Sequence, residues 1–418
     1  MTGIPSQTDA SRATATIGLL LDPLDVLFFR DGRPFGEASY GVSTTPLPQT
    51  LAGAVRTNLL RHANCDFDKL GKAMRDTSDF RAAVEAGGAP AWIADLVVRG
   101  PWFARDTEST SGVELLLPVP HVLHVDKKKT APARSGARRS GQDDGEAKLY
   151  RIRPVRSETI PGWRHAARRA GIERPLAPLW AKHAARTEPA HGYLTTRGFE
   201  SFLQDDRSHE KTSVENTGLV KNDDVFAFDR RTGIGIDPKT LHADDGKIYG
   251  ASFLSLKPKV CLYASVVVPA AALRDAAEAF ERVDTMAFGG EGRRVHVRVV
   301  SGADRPKAPA HRDPAPGSRE RPLVVLTTPG LFEARCRWAP QCLLANGNLT
   351  SAAVSGNVPV SGWDLARGGP KPTRFAVAAG AVYFLQEPLT NWPTSLCDDE
   401  RDRAQGWGCY VRGVWTDE

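Results

Sequence analysis

LFFRDGRPFGEASYGVSTTPLPQTLAGAVRTNLL, from Leu27 to Leu60, reads as the end of an apolar strand, an Arg- and Gly-rich turn, a polar loop and an amphipathic helix. Upstream, IGLLLDPLDVLFF (Ile17 to Phe29) is rich in the branched and aromatic residues that favour a buried strand, and Arg30-Asp31-Gly32-Arg33-Pro34 stops it. Downstream, Pro46 and Pro48 restrict φ ahead of a helix whose Leu51, Val55 and Leu59 share one face. Gly53 lies inside that helix at a cost of roughly 1 kcal/mol against Ala, which suggests close approach of something to the backbone. Arg56 and Arg61 remain for solvent or a polyanion. A helix N-terminus beside Arg30 and Arg33 combines aligned N–H groups with guanidinium forks, an arrangement suited to phosphate.

The 418 residues allow two or three domains, and 41% hydrophobic with 25% charged residues is the balance of a soluble globular chain. A net charge of +6 is modest for this size and does not by itself select nucleic acid as a partner. Six cysteines without a C-x-x-C pair suggest neither a zinc knuckle nor a disulfide framework. The first sixteen residues hold no apolar signal region, and no apolar run reaches the roughly 18 residues of a spanning helix. These features lead us to expect a cytoplasmic protein without membrane contact.

Along the chain, 126–148 (DKKKTAPARSGARRSGQDDGEAK) is basic and nearly free of large apolar residues, and is expected to be a disordered loop. Arg164, Arg168 and Arg169 with Trp163 and Trp180 form a basic, aromatic stretch of the kind that binds single strands or simply covers a surface. Residues 205–222 read as polar linker. FAFDRRTGIGIDPKT places Arg230 and Arg231 ahead of Gly233 and Gly235, either as a tight hairpin or as a loop that lets a ligand approach. Val260 to Pro269, Ala270 to Val283 and Val295 to Val300 read as strand, helix and strand, half of a split β-α-β unit. Between helix and second strand, Gly289-Gly290-Glu291-Gly292 with Arg293 and Arg294 fits a phosphate-cradling turn or a helix C-cap. Residues 301–321 form a low-complexity loop, and Arg374 to Leu385 a later strand. The fold class expected is α+β, two ferredoxin-like (RRM-like) domains with long loop insertions, over residues 15–245 and 246–418.

LDPLDVLFFRDGRPF followed by PLPQTLAGAVRTNLL resembles the N-terminal signature of a RAMP-superfamily protein, the third subunit of the Cmr module in type III-B CRISPR effector complexes. RRTGIGID with GKIY, GGEGRR, and GGPKPTRFAVAAGAVYF fit the same family in the same order, and QGWGCYVRGVW resembles the glycine-rich loop near the C-termini of many RAMP proteins. The resemblance implies a subunit that caps the 5′ repeat-derived tag of the crRNA and touches the large polymerase-like subunit and the backbone subunits, with no nuclease activity and no cofactor. Arg30, Gly32, Arg33, Gly53, Arg56, Arg231, Gly233, Gly289, Gly290, Arg293, Arg294, Lys371, Arg374, Gly406, Trp407 and Gly408 are the residues expected at RNA. Trp407 would stack a base or cover the core.

H-E-x-x-H, Walker A and G-x-S-x-G are absent from the sequence, so zinc-protease, P-loop and α/β-hydrolase chemistry lack their required groups. The enzymatic rival is a metal-independent RAMP endoribonuclease that processes CRISPR transcripts, with His62 at the end of the first helix as general base. A third reading is an assembly-only subunit whose loops touch protein and not RNA.

Overall fold

The computed structural model describes residues 13–30, 40–41, 43–77, 79–107, 112–126, 148–155, 176–181, 186–205, 214–236, 239–240, 242–333, 337–364 and 368–416. The first strand, β1 (Thr14–Pro23), carries the apolar run Ile17 to Leu21 because both of its faces are covered. Ile17, Leu19 and Leu21 face the helices, while Leu20 joins Ala104, Leu115, Cys261 and Tyr263 on the opposite face. The strand ends at Pro23 and not at Phe29 as expected. Proline removes a ladder donor there, Leu24 is exposed, and beyond it Leu27 makes only an isolated bridge to Leu254.

α1 (Pro48–His62) forms as its spacing predicts, with proline in its first turn and Leu51, Val55 and Leu59 buried. α2 (Phe67–Asp76) and α3 (Phe80–Ala86) are each capped by an aspartate, Asp66 and Asp79. The chain then builds β2 (Val97–Asp106), β3 (Val113–Pro118), β4 (Tyr193–Thr195), α4 (Thr196–Leu203) and β5 (Leu219–Val220). A long hairpin follows, β6 (Phe226–Ile236) and β7 (Ala243–Leu256), before β8 (Val260–Pro269), α5 (Leu273–Glu281), β9 (Thr285–Ala287) and β10 (Arg294–Val300).

Eight of these strands form one sheet in the order β5-β4-β3-β2-β8-β1-β10-β9. β1 is antiparallel to both β8 and β10, and β8 to β2. The units β1-α1-β2 and β8-α5-β10 therefore interleave as β2-β8-β1-β10, the split β-α-β arrangement. The β-α-β piece expected to open a second domain completes the first one instead. The expected boundary at 245/246 falls inside β7, and β5, expected as polar linker, is an edge strand of this sheet.

The remaining chain makes a four-stranded antiparallel sheet, β12-β13-β11-β14, from β11 (Glu320–Leu326), β12 (Leu349–Ala353), β13 (Val382–Leu385) and β14 (Tyr410–Thr416). Its alternate residues fill two cores: Leu323, Val325, Phe384 and Trp415 pack with Phe199 and Phe202 of α4, and Val324, Leu326 and Tyr383 pack on the other side with Trp407 from the turn before β14. Among the described residues, residues 320–416 themselves contribute only the short helices α6 (Gln341–Leu344) and α7 (Glu400–Ala404), and with α4 borrowed from the first unit they do not make the long helix pair of a second ferredoxin-like unit. The strand expected over Arg374 to Leu385 divides at Gly380 (φ +92°) into Arg374–Val377 and β13. The loop over 301–321 is an extended strap that joins the sheets, accepting from Thr196 Oγ1 at the Lys307 carbonyl (3.3 Å) and donating from Arg312 N to the Arg412 carbonyl (3.0 Å). Residues 127–147 of the basic loop, and Trp163, Arg164, Arg168 and Arg169, lie outside the described residues. Among those described, no helix is long and apolar enough to cross a membrane.

A buried ionic knot ties the layers. Asp205 accepts from Arg151 at 2.8 Å, from Arg153 at 3.2 Å and from the Thr416 hydroxyl at 2.8 Å, so one carboxylate holds the Leu149–Pro154 segment, the end of α4 and the last strand. Burial works against its charge, but the two guanidinium groups outweigh that and hold its pKa below the usual carboxylate value. Asp205→Ala is expected to destabilise the protein by about 3–5 kcal/mol, because two buried arginines lose their partner, and a thermal melt would read the loss. Since the folded pKa is the lower one, the Asp205 contribution is full above about pH 4 and is lost as the pH falls through the folded value, so the wild-type and mutant melts converge in acid.

Candidate nucleic-acid interface

β1 runs antiparallel to both β8 and β10, so the C-terminal end of β1 lies beside the N-terminal ends of the other two. Three stretches far apart in sequence meet at that edge. Phe28, just past β1, packs its ring 5.3 Å from that of Phe253, near the end of β7. The Gly289-Gly290 turn closes on the same place, where Gly290 N donates to the Phe28 carbonyl at 2.8 Å. A Cβ on Gly289 would stand 2.5 Å from that carbonyl oxygen, and φ there is +93°, so only glycine fits.

Two arginines flank the resulting aromatic pair. The guanidinium carbons of Arg231 and Arg293 lie 5.0 and 4.8 Å from the centre of the Phe253 ring. Each also has a carboxylate: Arg231 bonds Asp229 and Arg293 bonds Asp25, both at 2.8 Å. Arg230, next in line on β6 and paired with Ser252, is exposed on the opposite face of the hairpin, and Arg30 is exposed on the segment bridged to Ser43. Gly233 extends the same hairpin strand. Positive charge, aromatic faces and a tight glycine turn thus share one surface, a combination that serves single-stranded nucleic acid.

The strand alternation sends Arg294 elsewhere. Its guanidinium bonds Thr285, and it lines a separate cleft of about 430 Å³ with Asn58, Arg61, His62 and Arg282 at the end of α1. His62 is exposed there.

Several expected RNA contacts are interior. Arg56 bonds the Leu96 carbonyl (2.7 Å) and the Ala404 carbonyl (3.1 Å), and burial pulls its pKa down to about 10, so it ties α1 to the C-terminal region and faces no polyanion. Trp407 is fully buried in the second sheet's core, where no base can stack on it. Gly406 and Gly408 leave room for this chain, not for RNA: a Cβ on Gly406 would meet the Val98 carbonyl oxygen at 2.5 Å, and one on Gly408 the Cys397 sulfur at 2.8 Å. Arg374 is ion-paired to the buried Asp402, while Lys371 is exposed nearby, away from the Phe253 cluster in sequence and sheet. Gly32 and Arg33 lie outside the described residues. Gly53 is exposed, with nothing within 4 Å of an added Cβ, so the close approach expected there is not made within the chain. Phe28 and Phe253 escaped the sequence reading because each sits in an apolar stretch that reads as core; the only hint was that Phe28 adjoins the Arg30 turn.

The family model described as "CRISPR-associated protein (Cas_Cmr3)" matches residues 19–415. No curated protein matches the chain. Among solved structures, a chain of the type III-B Cmr-beta complex bound to cognate target RNA is similar at 15% identity, covering 88% of this chain and 86% of that one, with a TM-score of 0.47. A chain of the Csm3-Csm4 subcomplex of the type III-A CRISPR-Cas interference complex is similar at 10% identity, with coverage of 89% and 94% and a TM-score of 0.39.

The two glycine environments separate on substitution. Gly53→Ala is expected to raise stability by about 0.5–1 kcal/mol, since it gains helix propensity and meets no atom. Gly289→Ala is expected to lower the melting temperature, because its Cβ collides with backbone at a positive φ. Parallel thermal melts check both.

Proposed function

The chain belongs to the Cas_Cmr3 family of CRISPR-associated proteins, and from that premise we propose that it is a non-catalytic RNA-binding subunit of a type III-B effector complex. In this reading it grips and caps the 5′ repeat-derived tag of the crRNA and bridges the large polymerase-like subunit and the backbone subunits. The observation that carries the RNA grip is the convergence of Arg231 and Arg293 on the Phe253 ring, beside Phe28 and the Gly289 turn. Phosphates would take the guanidinium groups and the exposed Arg30, and a splayed base the aromatic face. Backbone contacts of this kind hold a strand of any sequence, so reading of the tag's identity would fall to the hydrogen bonds around the splayed bases.

The nuclease reading rests on His62, which shares its cleft with Arg61, Arg282 and Arg294. Those groups would bind and polarise a phosphodiester, but cleavage also needs a second proton-transfer group at the leaving oxygen. The nearest acid of the cleft is Asp284, whose side chain is 85% exposed and paired to His296 at 3.3 Å. We therefore assign that cleft no proton chemistry.

Affinity purification from the native host should bring down short RNAs sharing one 5′ sequence, together with effector subunits. With the purified complex, Arg231→Ala with Arg293→Ala is expected to weaken RNA binding and to lower the slope of log K against log salt by about 1.4, about 0.7 for each single-strand phosphate that is no longer neutralised. An unchanged slope would remove these arginines from the interface. Repeat-RNA cleavage abolished by His62→Ala would replace this reading with the nuclease.

A further inference from the structure

The face of the eight-stranded sheet turned away from α1 holds a second feature. Between it, the strap after β10 and the start of β14 lies a cleft of about 790 Å³. That is within the roughly 300–1,000 Å³ range of small-molecule sites. Its floor is aromatic: Trp102 of β2 and Tyr263 of β8 are register partners and stack at 6.1 Å with their planes 24° apart.

A backbone irregularity gives the floor its charge. In the β2·β8 ladder Tyr263 faces Trp102 but Ser265 faces Arg99, so β2 carries one extra residue between the two pairs. Residues three apart on a regular strand point to opposite faces, whereas this bulge lets both Arg99 and Trp102 line the cleft. The C-terminal glycine turn is moulded to the bulge, since a Cβ on Gly406 would lie 2.5 Å from the Val98 carbonyl oxygen and 3.0 Å from the Arg99 Cα. Overhead, the strap adds Arg305 and Lys307.

The chemistry of the cleft is one-sided. Among the described residues no carboxylate pairs with Arg99, Arg305 or Lys307, and Glu200 is the single acid in the lining. Trp102 has a buried indole N–H with no acceptor among the described residues. A half-buried indole backed by a buried phenol ring, three cations and a single carboxylate match a planar, hydrogen-bonding ring carrying a phosphate.

We propose that this cleft binds a single nucleotide unit, a nucleobase on the half-buried Trp102 ring, which the buried Tyr263 backs, with its phosphate on Arg305, Lys307 and Arg99. The unit is either a free nucleoside monophosphate or one nucleotide of a bound RNA. The site is separate from the Phe253 surface and does not rest on the tag-capping reading.

The test titrates the full-length protein with AMP, GMP, CMP and UMP, following tryptophan fluorescence and calorimetric heat, and crosslinks a short single-stranded RNA to it by ultraviolet light with peptide mapping. A free-nucleotide site gives saturable binding of at least one monophosphate, weakened about tenfold or more by Trp102→Leu, the scale of removing one base stack. It is weakened likewise by Arg305→Ala with Lys307→Ala, a pair on the strap that leaves the sheet intact, and is untouched by Arg231→Ala with Arg293→Ala. An RNA source gives no monophosphate binding but crosslinks on the Trp102 or Tyr263 peptide that vanish in the strap variant. Neither binding nor crosslinks at the cleft, or either one unchanged in the strap variant, overturns the proposal.

Discussion

The placement of β8 between β1 and β2 is the constraint on which the rest of this structure depends. A split β-α-β sheet cannot close until its third strand arrives, and here that strand comes after an excursion of more than one hundred residues between β3 and β8. The sheet's central pairings, such as Leu21 with Leu262, are therefore among its most non-local. Such pairings cost loop-closure entropy before they return any hydrogen bond, which places their formation late in folding. The same placement makes the arginine-rich edge. Because β1 is antiparallel to both neighbours, the segment leaving it must meet the segments entering β8 and β10, and those carry Phe28, Phe253 and Arg293.

Local patterns were legible where local physics decides. The 3.6-residue spacing of Leu51, Val55 and Leu59 gave α1 within its bounds, and the β-branched run before Pro269 gave β8. The family was legible in four ordered motifs. Which strand lies beside which was not, because the β-α-β pattern at 260–300 is equally a start and a completion; only the interleaving order distinguishes them. Asp205 shows the same limit: in a polar stretch it reads as linker, yet it is the acceptor for two buried arginines that the sequence places more than fifty residues before it.

Of the arginines expected at RNA, Arg231 and Arg293 come together and Arg56 does not, and the reason is burial at long range. Its two carbonyl partners are contributed by residues 40 and 348 positions away, which no window on the sequence contains. The glycines divide in the same manner. Gly-x-Gly at 406–408 carries a positive φ at both positions, as a ligand-cradling loop would, but the atoms that fill the space are the protein's own Val98 carbonyl and Cys397 sulfur. A glycine motif reports that something approaches the backbone; it does not report what.

The arginines of the Phe253 cluster already hold carboxylates, and the energetics of those pairs decide whether a polyanion can displace them. Asp25 and Asp229 are 60% and 43% exposed, in the regime where an ion pair contributes about 0–1 kcal/mol. A phosphate that replaces either carboxylate gives up little. The ring beneath gives something back, because a guanidinium already held near Phe253 loses less side-chain freedom on binding than one drawn from solvent. In the proposed RNA grip the aspartates would act as temporary partners that keep the forks extended over the aromatic face. That arrangement works only at an exposed edge; the buried Arg151–Asp205 pair, built from the same two groups, is fixed in place.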